Sequence, residues 1–183
     1  MTKAASPTYR VPFCRRREGK TDYRRRRRLL LSRVPRITVR KSNRYIRMQL
    51  ISDEHDGDNT LISVTSSDLA QFGYAGSCAN CAAAYLTGIV FGKRACEHGY
   101  EYGILDIGRQ TPVHGSNVYA ALKGAIDGGM RIPHDPDVFP STDRLAGQHI
   151  SALFHDDAYS VQVQATKAAI CGIKESEEDK EIE

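Results

Sequence analysis

Between residues 36 and 51 apolar and polar side chains alternate one for one. Ile37 and Val39 fall on one face, with Arg36, Thr38 and Arg40 on the other. After Lys41-Ser42-Asn43, Ile46, Met48 and Leu50 alternate against Tyr45, Arg47 and Gln49. A period of two marks strands with one face on a core, and Ser and Asn suit the turn of a hairpin. A second turn is expected at 55–59 (HDGDN) and a third strand at 60–67 (TLISVTSS). This region therefore predicts an antiparallel meander with one basic face.

From residue 82 the period lengthens. Ala82, Tyr85, Leu86, Ile89, Gly92 and Cys96 lie within about 120° on a helical wheel, the core stripe of a helix over 82–99. The mostly apolar run 103–108 (GILDIG) reads as a short buried strand. A further helix starts at Ser116 or Asn117, carries Val118, Leu122, Ala125 and Ile126 on one side, and ends at Gly128-Gly129. Antiparallel strands followed by helix, strand and helix predict an α/β domain with a mixed sheet. Beyond it come a proline-rich loop (132–141), a last helix over 142–154 and a charged C-terminal tail. Upstream, 15–31 lacks proline, so a helix is permitted there, weakened at Gly19 by about 1 kcal/mol relative to Ala. The predicted units are an arm (1–34), an α/β domain (35–156) and a tail (157–183).

Charge changes the picture of the arm. The net charge of +4 in 183 residues combines +15 over residues 1–47 with −11 over the rest, a split that points to a polyanion-binding arm on a mildly acidic body. Arg15, Arg16, Arg17, Lys20 and the run Arg24, Arg25, Arg26, Arg27 and Arg28 are continued onto the hairpin by Arg36, Arg40, Lys41, Arg44 and Arg47. Tyr9, Phe13, Tyr23 and Tyr45 interleave and offer stacking surfaces for bases. Fourteen of the seventeen cations are arginine, which suits planar, bidentate recognition of phosphate better than diffuse attraction to lipid. On a helix, five consecutive arginines step by about 100° and circle the axis. That geometry fits a segment enclosed by phosphates on several sides, as in folded RNA, and such an arm is expected to be poorly ordered alone.

Other chemistry is less compelling. The most apolar window, 82–92, is about half of a membrane span of roughly 20 residues, and no signal-like segment opens the chain. Five cysteines, an odd number, fit reduced thiols. A soluble cytoplasmic protein without a membrane partner is therefore expected. Cys78 and Cys81 (CANC) could form a redox pair or half of a zinc site with Cys96 and His98, yet the spacing of that second pair is not a standard knuckle. Half-buried thiols are the default. Asp53, Asp68, Asp106 and Asp127 could gather into a metal-dependent nuclease site, but nothing in their spacing compels it. No dinucleotide fingerprint or phosphate-cradling glycine loop is present. The expectation is no catalytic residue, no metal, no cofactor and no small-molecule substrate.

The order of TDY (21–23), RKSN (40–43), AYLTG (84–88), LDIG (105–108), GSNVYAALKGAIDGG (115–129) and IPH (132–134) resembles one family. It is the archaeal branch of the L-eighteen family, the large-subunit ribosomal proteins that bind 5S rRNA. The resemblance spans roughly residues 8–155. It implies a three-layer α/β domain with an RNA-binding arm and no enzymatic activity, joining 5S rRNA to 23S rRNA at the central protuberance beside neighbouring ribosomal proteins. RKSN would carry rRNA contacts onto Arg40, Lys41 and Asn43, and the arm's role would fall on Arg15 to Arg17 and Arg24 to Arg28. The glycine-rich helix and LDIG would serve packing. The unbroken RRRRR is heavier than the family's usual mixed stretch, and the chain after Tyr159 matches poorly.

Overall fold

Alternation becomes structure in strands β1 (Arg36–Lys41) and β2 (Ile46–Glu54), joined by a turn in which the Ser42 and Tyr45 backbones bond to each other. The Ser42 hydroxyl also accepts the Tyr45 N–H at 2.9 Å. Strand β3 (Gly57–Thr65) completes the antiparallel meander, and β4 (Ile104–Asp106) pairs parallel with β1, giving the order β3-β2-β1-β4. This is the expected mixed sheet. The computed structural model describes residues 6–54, 57–155 and 157–177. The turn expected at 55–59 falls partly outside these, and Gly57 to Asn59 belong to β3.

One face of the sheet carries Ile37, Val39, Met48, Leu50, Ile62 and Val64 into the core. Helices α3 (Cys81–Glu97) and α4 (Asn117–Asp127) cover that face. They run parallel and nearly touch, because Gly88 and Gly92 lie against Gly124 and Gly128. A Cβ on Gly88 would overlap the Ala121 carbonyl, and one on Gly124 the Tyr85 carbonyl. Helix α3 is buried almost all round from Cys81 to Gly92, not along one stripe. The reason is that it meets the sheet, α4 and the C-terminal helices together. Asn80 caps α3 by accepting the Ala83 N–H at 2.8 Å.

Three readings need correction. The helix expected over 142–154 is two pieces, Thr142–Leu145 (α5) and Gln148–Phe154 (α6), broken at Gly147, whose φ is +77°. The strand expected over 60–67 ends at Thr65 and gives way to a 3₁₀ turn, Ser66–Phe72, capped by Asp68. The tail expected from 157 is, up to Glu177, helix α7 (Ala158–Glu177). It runs parallel to α3 and buries Val163, Thr166 and Ile170, and Lys93 on α3 donates to the Ile170 carbonyl at 2.9 Å. Its anchor is Tyr159. The hydroxyl of Tyr159 bonds that of Tyr74 at 2.8 Å and accepts from Asn80 at 2.6 Å, and its ring lies against Gly76 and Gly147. Burial and the Tyr159 hydroxyl push the Tyr74 phenol above its ordinary pKa.

Candidate nucleic-acid interface

The arm folds as two short helices, α1 (Cys14–Arg17) and α2 (Tyr23–Leu30). TDY supplies the local reasons. Asp22 caps α2 by accepting the N–H groups of Arg24 and Arg25 at 3.0 and 3.2 Å. Those two backbone bonds hold its carboxyl below the ordinary value of 3.8. Thr21 accepts from Arg15 Nε at 2.9 Å, and Tyr23 packs on Phe13 with ring centroids 5.1 Å apart. Glu18, bound to Lys20 at 2.8 Å, is likewise held low by that lysine.

Helix α2 lies beside the β4 end of the sheet, and its arginines reach the face opposite the core. Arg25 donates to the Gly108 carbonyl after β4 at 2.8 Å, and Arg26 pairs with Asp58 on β3 at 2.9 Å. Between arm and sheet lies a cleft of about 510 Å³. Its floor is the outward row of β1 and β2. Arg40 and Arg47 stand directly opposite each other in the register, an arrangement of like charges that is unfavourable until something neutralises it. Asp106, 7% exposed on β4, accepts from Arg36 at 3.2 Å and Arg40 at 3.4 Å and binds the Gly108 N–H at 2.7 Å. That last bond turns the chain and ends β4 after three residues.

Arg36 departs from expectation. It is 3% exposed, and its guanidinium is held by Asp58 at 2.6 Å and Asp106 at 3.2 Å. The arm and the start of β3 cover this end of the sheet, so Arg36 is held as a structural cation that borders only the cleft beneath the arm. Arg15, Arg16, Arg17, Lys20, Arg24, Arg25, Arg27, Arg28, Arg40, Lys41, Asn43, Arg44 and Arg47 are exposed, and Arg26 and Tyr23 are half-buried. Among the described residues no carboxylate pairs with Arg16, Arg17, Arg24, Arg27, Arg28, Lys41, Arg44 or Arg47. The exposed Tyr9, Phe13 and Tyr45 lie within this cationic band. Sequence reading missed Arg109 and Gln110, which join the cleft from the loop after β4. The parallel pairing of β4 with β1 brings them beside Arg40 from far along the chain. GILDIG followed by Arg-Gln was the available signal.

The alternative chemistries do not assemble. Asp106 is committed to arginines, Asp68 to its cap, and Asp127 to Tyr85 (2.9 Å) and Lys123 (3.1 Å). Among the described residues no three His, Cys, Asp or Glu side chains converge as a metal site. Burial pushes the Cys81 thiol up, the opposite of a reactive thiolate, and Cys78 lies in the turn before α3.

Fold and face together define a basic α/β protein whose cationic surface is matched to a polyanion. The family described as ribosomal large subunit proteins 60S L5 and 50S L18 matches residues 7–102 and 98–135. The large ribosomal subunit protein uL18 of Methanococcoides burtonii is 53% identical over 148 residues, covering 81% of this chain and 86% of that protein. That of Methanothrix thermoacetophila is 50% identical over 169 residues, covering 92% and 99%. That of Methanoregula boonei is 49% identical over 149 residues, covering 81% and 86%. The chain belongs to this family, in its archaeal form, and is a structural ribosomal protein, not an enzyme.

Proposed function

We propose that this protein binds 5S rRNA and attaches it to 23S rRNA at the central protuberance of the cytoplasmic large subunit, beside other ribosomal proteins. The observation that carries the reading is the band of exposed cations that have no carboxylate partner among the described residues. It runs from Arg16 through α2 to the β1–β2 turn and Arg47, on a member of a large-subunit ribosomal family. The contacts fall to Arg15, Arg16, Arg17, Lys20, the exposed arginines of α2, Arg40, Lys41, Asn43, Arg44 and Arg47. Tyr23 supports the arm and presents part of its ring.

Affinity comes mainly from phosphate neutralisation, which carries no sequence information. Discrimination comes from shape, since Arg25 and Arg26 turn to the body and the remaining arginines of α2 meet phosphates together only where folded RNA wraps its open side. The turn at 42–45 then reads the neighbouring strand with Lys41, Asn43 and Arg44. Recovery of the protein from cells at mild salt, with sequencing of the RNA that accompanies it, tests this. 5S rRNA should dominate, with 23S fragments beside it. Predominantly messenger RNA or DNA would sink the reading.

A further inference from the structure

We propose that the cleft between α2 and the sheet is a phosphate site, and that a phosphate seated there holds the arm on the body. The cleft is walled from both sides, by Lys20 and Arg25 of the arm and by Arg36, Arg40 and Arg109 of the body. In all, seven cations line it against three carboxylates. The carboxylates are already engaged: Asp22 caps α2, and Asp58 and Asp106 hold Arg36. Both terminal nitrogens of Arg36 are used, yet its Nε is buried without an acceptor among the described residues. An unmet charged donor in so enclosed a place costs free energy that an anion would relieve.

The lining also says which anion. Among the described residues no aromatic side chain borders the cleft, so its lining offers no stacking surface for a base. Guanidinium forks from several directions suit a tetrahedral oxyanion instead. The arm's own attachments, Arg25 to one carbonyl and Arg26 to a half-exposed Asp58, are weak in water. A ligand that binds only the docked arm stabilises docking by mass action. The source of the phosphate is the RNA backbone, a step that rests on the function proposed above; a free phosphate has the same chemistry.

Limited trypsin digestion of the full chain tests the site, because the arm is rich in cleavable arginines. At four times its Kd, inorganic phosphate should slow arm cleavage about fivefold against chloride at matched ionic strength. Arg109→Gln, on an exposed loop, should abolish that protection with the far-ultraviolet spectrum unchanged. Arg36→Met should do the same if it folds, but Arg109→Gln decides the matter alone. Equal protection by chloride, or full protection by phosphate in R109Q, overturns the site.

The same variant titrated with 5S rRNA separates the sources. Binding weakened about tenfold assigns the site to a backbone phosphate, and unchanged binding overturns that assignment in favour of a free phosphate. Phosphate protection in a protein that binds no rRNA at all would remove the proposed function and leave the site standing.

Discussion

Arg40 and Arg47 face each other across β1 and β2, while Arg36, two positions along the same face, is buried between two aspartates. The alternation that revealed all three could not tell them apart. A period of two assigns a side chain to a face but does not say what covers that face. The acids that claim Arg36 lie 22 and 70 residues away in sequence. The difference is measurable. Arg47→Gln should leave stability unchanged and lower the slope of log K against log salt for rRNA by about 1. Asp106→Ala should destabilise the fold by about 3 kcal/mol, since it strands the buried Arg36 with one partner fewer. Thermal or denaturant unfolding reads the second effect, and an Asp106→Ala protein as stable as the parent would contradict it. Asp22 offers a pH test. Its folded pKa is lowered, so its contribution to α2 is fully present above the ordinary carboxylate value of 3.8 and is lost as pH falls through the lower folded value. Asp22→Asn keeps a cap without a titrating charge, so the acid-induced loss of α2 signals in NMR spectra should disappear in that variant.

At the scale of elements, the strands were legible because they alternate cleanly, and the α3–β4–α4 crossover because the apolar period lengthens at 82 and α4 is closed by Gly128-Gly129. Helix α7 was not. Its buried positions, Val163, Thr166 and Ile170, form a thin stripe in a segment that ends in charge, and one of the three is a threonine. Starting the count at Tyr159 gives spacings of four, three and four, a helical stripe that was there to be read. The break at Gly147 joins the same story, because a residue with a side chain there would strain the backbone and strike the Tyr159 ring, 2.5 Å from the added Cβ. Gly147→Ala should therefore cost about 2 kcal/mol. Tyr159→Phe, which leaves the Tyr74 hydroxyl and Asn80 amide short of a partner, should cost about 1 kcal/mol. Hydrogen exchange should show the loss concentrated in α7. Uniform loss over the sheet would mean that Tyr159 is not the anchor.

Across the whole molecule, much of the cationic charge of the described residues within 1–47 gathers on the arm and on the outward row of β1 and β2. The body packs around α3, and the arm reaches over one end of the sheet face that α3 and α4 leave free. Composition pointed to a polyanion as the partner. It did not show that the arm folds back to make a cleft with Arg109, since that depends on β4 pairing parallel with β1. The central claim, that binding is phosphate neutralisation by arm and sheet together, is tested most directly by 5S rRNA affinity measured across a salt series. The full chain and a chain lacking residues 1–32 should be compared. For about six phosphates the full chain should give a slope of log K against log salt near −4 to −5, and the shortened chain, still folded, should bind far more weakly with a slope nearer −2. Equal affinity and equal slope for the two chains would contradict the account.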